Sequence, residues 1–493
     1  MCKVSDTNPT GNGVKATDLP TPAKLPVIIA GAGPCGLVTA LTLQQHGVPF
    51  IIYERASRDK LCSNAGSGFD MAPTAVDILE KKLKIDMNKA MRPYDYMYMA
   101  DMKGRTLNTY SLIDLPDYVR GDFGFANRAD LQNALLDSLM ENIKNSVNEQ
   151  EKILKCGITV TGYTNYDDHV DITLSDGSIA KGISLLACDG IHSATRKHMH
   201  RNVNDDLHYC GQECWWGKTT IVPGSELDIE LRRTMEANIP GDKKSASSKF
   251  SSCAIAMAGS HKRPGTFFSC PVAEDTHAWV YCVKASGDGK KQQNTPKQGK
   301  ANKSNDLTRR GGSILNEAEK QRELLEPMSD HCKLIKLIVQ GTPAADITRA
   351  GFYDRENLHL PYTDGRVALL GDAAHPQSPM MGQGANMAIV DGHVLGTRLA
   401  SSMANDRSYE SSLDDDGVRE ALAAFDCTIR RKGVNKVIGE ARFYGNLAVS
   451  NNRFTCWFFK SILKYTLPAT IMKELEKGDK SNKKFVKSME LEI

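Results

Sequence analysis

Apolar positions along this chain fall into three kinds of run. Four runs are short and almost solidly apolar: residues 25–30, 48–53, 183–188 and 367–370. Each stops at a glycine or an acid: Gly31, Glu54, Asp189 and Gly371. Such runs predict buried strands, and the first, feeding a glycine turn, reads as a strand of a parallel sheet. Two longer stretches, "YCGQECWWGKTTIVP" (209–223) and "PGTFFSCPVAEDTHAWVYCVKA" (264–285), alternate apolar and polar positions and are rich in aromatic and β-branched residues. They predict half-buried strands. From 415 to about 472 the spacing becomes helical, including "FDCTIRRKGVNKVIGEARFYGN".

The stretches without such runs are informative too. Residues 1–24 are polar and rich in Pro, Gly and Thr, which predicts a disordered tail and lacks the apolar centre of a secretory signal. Between 284 and 310 lie eight Lys/Arg and two acids, so the segment 286–312 reads as a solvated, disordered Lys-rich insert. The chain's net charge is +3, so this segment alone leaves the rest slightly acidic, and no aromatics interleave the basic run. A nucleic-acid surface is not expected. The thirteen cysteines show no CxxC pair and no zinc-finger spacing, and Cys210 and Cys214, four apart, are read as having no His partner at ligand spacing, so no metal site is expected. Reduced thiols point to an intracellular, cytoplasmic setting. The most apolar late stretch, 454–472, is broken by Lys460, Lys464 and Pro468. It is too interrupted to span a bilayer and reads as a helix on the protein's own core, with peripheral membrane contact as the alternative. Residues 476–493 read as a polar tail.

Chemistry enters at the first turn. Gly31, Gly33 and Gly36 form GxGxxG between a predicted strand and a predicted helix. The first glycine permits the tight turn, the second lets backbone approach a pyrophosphate, and the third lets helix and strand pack closely. Ala32 and Pro34 complete the cradle. Glu54 lies 18 residues past Gly36 at the end of the second strand, followed by Arg55, where a carboxylate can accept ribose hydroxyls. The unit predicts dinucleotide binding without separating NAD from FAD.

Two further motifs follow. In "SLLACDGIHSATRKH" (184–198) a strand ends in Asp189-Gly190, then Ser193 and Arg196. In "GRVALLGDAAHPQSPMMGQGANMAIVDGHVLGTRLA" (365–400) a strand runs into Gly371-Asp372, then a Pro/Gly-rich loop and a helix from about Asn386. Asp372 at a strand end can hold a second polyol. The loop's end at a helix start offers N–H groups to an anionic centre.

GxGxxG…Glu, DGxxSxxR and GDAAHxxxPxxGQGxN, in this order, resemble the single-component FAD monooxygenases, the group of para-hydroxybenzoate hydroxylase, salicylate hydroxylase and kynurenine monooxygenase. The resemblance covers about residues 25–445. It implies an α/β fold in which a Rossmann-like FAD-binding domain (25–205 and 351–405) is interleaved with an antiparallel-sheet substrate domain (206–350), followed by C-terminal helices (406–475). It implies that Gly31, Gly33 and Gly36 cradle the pyrophosphate and that Glu54 binds the adenosine ribose. Arg128, in "ANRADLQNALL", matches the family's hRxxLxxxL helix and would contact FAD. Asp189 would lie near the pyrophosphate and bear on NAD(P)H use. Asp372 would bind the ribityl side, and Pro379, Gly382, Gly384, Ala385 and Asn386 would line the flavin ring. His375 reads as a packing or hydrogen-bonding residue of the flavin loop. Trp215, Trp216, Phe267, Phe268 and Trp279 are candidates for a pocket, though core packing suits each singly.

The implied activity is transfer of one atom of dioxygen, through a flavin hydroperoxide, to a small aromatic or polycyclic molecule, with NAD(P)H as co-substrate. No catalytic acid, base or nucleophile can be named. A same-fold reductase or halogenase is the alternative, although "WWGKTTIVP" does not match the halogenase WxWxIP signature; a non-catalytic FAD protein is a third reading. Substrate identity, NADH versus NADPH and oligomeric state are not legible in the residues.

Overall fold

The computed structural model describes residues 25–61, 68–93, 95–112, 123–141, 152–238, 253–285, 309–310, 313–314, 317–355, 358–405, 416–465 and 468–490. The tail 1–24 and most of the Lys-rich insert lie outside these. At the insert's far end Arg309–Arg310 pairs with Ser313–Ile314, just beyond it, as two short strands.

In chain order, the elements that matter here begin with β1 (Val27–Ala30), α1 (Pro34–Gln45), β2 (Phe50–Glu54) and β3 (Gly68–Met71). Then come β4 (Tyr96–Asp101), β5 (Thr106–Ser111), α2 (Arg128–Glu141), β6 (Leu154–Cys156), β7 (Ser184–Ala187) and α3 (Ala194–Met199). β8 (Leu207–Thr220), α4 (Glu226–Asn238), β9 (Cys253–Ser260), β10 (Arg263–Ala273), β11 (Thr276–Lys284), α5 (Glu317–Leu325) and α6 (Lys333–Gln340) follow. The last part holds β12 (Thr348–Arg355), β13 (Val367–Leu369), α7 (Gly384–Asn405), α8 (Asp416–Phe425), α9 (Thr428–Ala448), α10 (Arg453–Tyr465) and α11 (Pro468–Glu490).

The four solid apolar runs become neighbours. The order β13-β7-β1-β2-β6 is parallel throughout, with Thr363–Asp364 added antiparallel at the β13 edge. Val27, Ile28 and Ile29 have no accessible surface, because helices and a small sheet cover both faces. Gly31 turns the chain with φ +98°, and a Cβ there would meet the Cys188 carbonyl oxygen at 2.5 Å. A Cβ on Gly36 would stand 2.0 Å from the Gly31 carbonyl oxygen. Both positions therefore need glycine, one for its backbone angle and both for space.

The second sheet has the order β12-β8-β11-β10-β9-β4-β5. It is antiparallel except for β9 beside β4, which run parallel. Its strands come from three parts of the sequence. β4 and β5 arise within 25–205, and β12 reaches to Arg355, past the boundary of 350 that the sequence suggested. Alternation decides the faces. Trp215, Phe267 and Trp279 turn to α4 and α6 and form one core with Leu231, Ile335 and Ile338. Cys214, Trp216, Val280 and Cys282 turn the other way, toward the FAD-binding part.

The stretch 476–490, which reads as a polar tail, is helical in α11 and buries Asp479, Asn482, Phe485 and Met489. Asp479 and Asn482 find partners, so the buried stripe is half polar, which conceals it in the sequence.

Candidate functional site

The three motifs converge at the C-terminal ends of β1, β7 and β13. This is where an open parallel sheet binds ligands.

At one end stands Glu54, held at the tip of β2. Its Oε2 accepts from the Ala32 amide and its Oε1 from the Ala56 amide, each at 2.7 Å. Each oxygen keeps a lone pair for a further donor. Arg128 opens α2. Its side chain is open to solvent, yet burial lowers its pKa and the Glu54 charge opposes that shift. Arg128 therefore stands close enough to Glu54 for their charges to interact. One turn on, Gln132 donates from Nε2 to the Ala32 carbonyl at 2.6 Å, while its buried Oε1 has no partner among the described residues. Gln132 went unread in the sequence; its only signal was the i+4 spacing from Arg128. Arg55 is exposed at the mouth.

At the α1 N-terminus, a Cβ on Gly33 would project into open space. The backbone there is bare, as a phosphate-facing turn requires. Asp189 accepts with Oδ2 from the Ala194 amide at 3.0 Å and the Thr195 amide at 3.3 Å, tying the strand end to α3. Its buried Oδ1 has no partner among the described residues, and burial raises its pKa against hydrogen bonds from Ser193 and Thr195. Arg196, buried, donates to the Ala373 carbonyl at 3.1 Å and to that of Ala374, and pairs with Asp205. The arginine of the second motif is thus a clamp on the third.

Asp372 repeats the Arg128 pattern: it is open to solvent, yet burial raises its pKa, with His375 pulling the other way. The loop after it is pinned from behind. His375 Nε2 lies 2.7 Å from Asp391 Oδ2, which also accepts from the Gly371 amide at 3.0 Å. The other Asp391 oxygen pairs with Arg430, which donates in turn to the Met387 carbonyl at 2.9 Å. All three side chains are buried. Burial pushes the Asp391 carboxyl up, but Arg430 and His375 outweigh it and leave it lowered. His375 therefore belongs to a structural cluster.

Asn386 donates to the carbonyls of Asp70 and Gly382, each at 2.8 Å, and accepts from the Ala72 amide at 2.9 Å. Its side chain is committed to holding β3 against the loop, which leaves backbone for any ligand. Helix α7 begins at Gly384, and its first N–H groups, on Gly384, Ala385 and Asn386, have no intrahelical acceptor. Pro379 is exposed beside them. Gln377, Ser378 and Gln383 each carry a buried side-chain oxygen without a partner among the described residues. Orphaned polar atoms in one loop mark a site that a polar ligand completes.

The wall opposite is the second sheet. Met380 of the loop packs with Trp216, Val280, Cys214, Cys282 and Phe352. Beside them Phe268, Cys270, Ala254, Ala256, Met97 and Met99 continue the same face. Of the five aromatics singled out in the sequence, Trp216 and Phe268 face this side, whereas Trp215, Phe267 and Trp279 belong to the core behind it.

A glycine turn beside the Glu54 carboxylate, a second carboxylate at Asp372 and a helix N-terminus facing an apolar sheet make up the candidate flavoprotein site. Residues 24–206 and 328–419 match the family described as "FAD binding domain", more than half of the chain. The chain belongs to this family, that of the FAD-dependent monooxygenases, and is an oxidoreductase with FAD as its cofactor. It is similar to aurachin C monooxygenase/isomerase of Stigmatella aurantiaca, with 24% identity over 89% of this chain and 94% of that protein. It is also similar to 2-heptyl-3-hydroxy-4(1H)-quinolone synthase of Pseudomonas aeruginosa, 25% identical over 75% and 79% of the two chains. The fold matches Klebsiella pneumoniae HpxO complexed with FAD and uric acid, with a TM-score of 0.69 at 21% identity over 92% and 97% of the chains.

Proposed function

We propose that this enzyme consumes NAD(P)H and dioxygen to insert one oxygen atom into a small, apolar aromatic or polycyclic molecule. The observation that carries this reading is the contact between the flavin loop and the uncharged aromatic, sulfur and aliphatic face of the second sheet, through Met380. When bound, FAD accepts a hydride and passes one atom of dioxygen onward. In this reading Glu54 accepts the adenosine ribose hydroxyls, with Arg128 beside it. The bare backbone of Gly31, Ala32, Gly33, Pro34 and Gly36 receives the pyrophosphate. Asp189 stands next to that centre, where it bears on the nicotinamide coenzyme, and Asp372 accepts the ribityl hydroxyls. The N–H groups at the start of α7 face the flavin ring, and Asn386 keeps them there. The sheet wall excludes water and orients the substrate by apolar contact.

A wall of this composition suits a neutral, lipophilic molecule better than a small carboxylate, which would need a cationic partner. One relative named above carries 2-heptyl-3-hydroxy-4(1H)-quinolone in its name, an uncharged aromatic with an alkyl chain. Among the described residues the eleven cysteines form no disulfide, in keeping with a reducing, intracellular setting. The test is product analysis after turnover in heavy dioxygen, with NADH and NADPH compared and lipophilic aromatics offered as substrates. One labelled oxygen in the product supports the reading. Label arriving from water, or a product without added oxygen, overturns it in favour of a reductase or halogenase.

A further inference from the structure

We propose that α10 lays one exposed aromatic face on a membrane surface bearing anionic headgroups. The helix has two unlike faces. On one, Leu463 packs into the cluster of Met97, Met99, Ala254 and Phe268. Tyr110 Oη donates to the Leu463 carbonyl at 3.2 Å, and Asn108 Nδ2 to the Lys464 carbonyl at 2.9 Å. Lys460 reaches toward Asp101 at 3.9 Å. The helix is thus fastened across β4, β5 and β9.

The other face is aromatic and open. Phe454, Trp457, Phe458 and Tyr465 follow the i, i+3, i+4, i+11 spacing of a single stripe, and Phe454, Trp457 and Tyr465 are more than 60% exposed. Phe454 and Phe458 rings stack, with centroids 6.5 Å apart. Large aromatics left together in water are a cost that a fold keeps only where something covers them.

Charge selects the cover. Residues 453–465 contain Arg453, Lys460 and Lys464 and no acid. Arg453 and Lys464 stand exposed at the two ends of the aromatic stripe. Rings between flanking cations are the arrangement of an interfacial helix, with rings at headgroup depth and cations at lipid phosphates. A second copy is disfavoured, because a two-fold contact would set two such cationic stripes against each other. No described helix is long and apolar enough to cross a bilayer, so α10 lies on the surface. Because Leu463 belongs to the same cluster as Phe268 and Ala256 of the substrate wall, docking brings the rim of that compartment to the lipid.

The test uses the full FAD-loaded chain and vesicles of phosphatidylcholine alone or with about one-third phosphatidylserine. The protein should sediment with the anionic vesicles, weakly with the neutral ones, and be released at about 1 M salt. F454S/W457S/F458S should lower partitioning about a hundred-fold or more. R453S/K464S should lower it about thirty-fold. Both variants should keep their flavin absorbance, since none of these side chains is buried. In the parent, anionic vesicles should shift tryptophan emission to the blue, and W457F should abolish the shift. No sedimentation with anionic vesicles overturns the proposal, as does sedimentation undiminished in the aromatic variant. Equal binding to neutral vesicles refutes the headgroup charge requirement. A dimer in sedimentation velocity that the aromatic variant dissolves reassigns the face to a second copy.

Discussion

The Asp372 carboxyl is open to solvent, yet the protein around it raises its pKa. In the apoprotein its ionisation costs stability at every pH above the ordinary carboxylate value, because the folded chain holds the proton more tightly than the unfolded one. Hydroxyl donors favour the ionised form. If Asp372 accepts the ribityl hydroxyls as proposed, FAD binding expels a proton near the raised value, and affinity should fall as pH drops through it. Titrating apoprotein with FAD between about pH 8 and about pH 5 checks this, and Asp372→Asn should flatten the profile. Asp372→Ala and Glu54→Ala should each weaken FAD binding roughly ten-fold, the loss of one charge-assisted hydrogen bond. Asp391 plays a different part. It is buried between His375 and Arg430, and Asp391→Asn would leave the Arg430 charge facing a neutral amide. A cost of about 3–5 kcal/mol is expected, read as a lower urea midpoint, together with loss of flavin as the loop loosens. The cradle residues were legible in the sequence because each has a local reason to be there: a turn, a close approach, a strand end. Gln132, Asp391 and Arg430 were not, because their partners lie on other elements; only the i+4 spacing of Gln132 from Arg128 gives any local signal.

Elements followed the same division. The solid apolar runs were readable as strands, since burial on both faces leaves no other pattern, and alternation announced β8, β10 and β11. Which aromatics turn toward the Met380 loop was not readable, because Trp215 and Trp216 are adjacent and only the sheet's two neighbours decide between them. α11 escaped for another reason. Its inward stripe is Asp479, Asn482, Phe485 and Met489, and two of the four are polar. Asp479 binds the Thr74 hydroxyl at 2.9 Å, Asn482 accepts from Arg430 at 3.1 Å, and Phe485 lies under the Arg430 guanidinium with its ring 5.9 Å from Phe425. The helix thus buttresses the residue that holds Asp391. Ending the chain at 475 should give insoluble or flavin-free protein, a result that a dispensable tail would not give. Phe485→Ala should cost about 3–5 kcal/mol in thermal or urea unfolding.

At the scale of the molecule, the order of the three motifs was enough to read the fold class, since each motif must sit at a strand end of one sheet. The ties between them belong only to three dimensions: Arg196 holds the third motif from the second, and Asn386 holds β3 to the flavin loop. This arrangement has a kinetic consequence. With one dinucleotide cradle among the described residues, the proposed nicotinamide coenzyme would have no domain of its own there and would meet the flavin transiently, on the Asp189 side of the cradle. Asp189 Oδ2 is spent on α3, while Oδ1 is buried without a partner among the described residues, so part of the carboxyl is held in reserve for a ligand. In the proposed reading Glu54 and Asp372, by contrast, serve FAD alone. Asp189→Ala should therefore slow flavin reduction by NAD(P)H more than it weakens FAD binding, and Glu54→Ala should do the reverse. Stopped-flow reduction at saturating FAD, set beside FAD titration of the apoprotein, separates the two. Equal losses in both measurements for Asp189→Ala would make this carboxyl one more FAD ligand and move the coenzyme's docking point elsewhere.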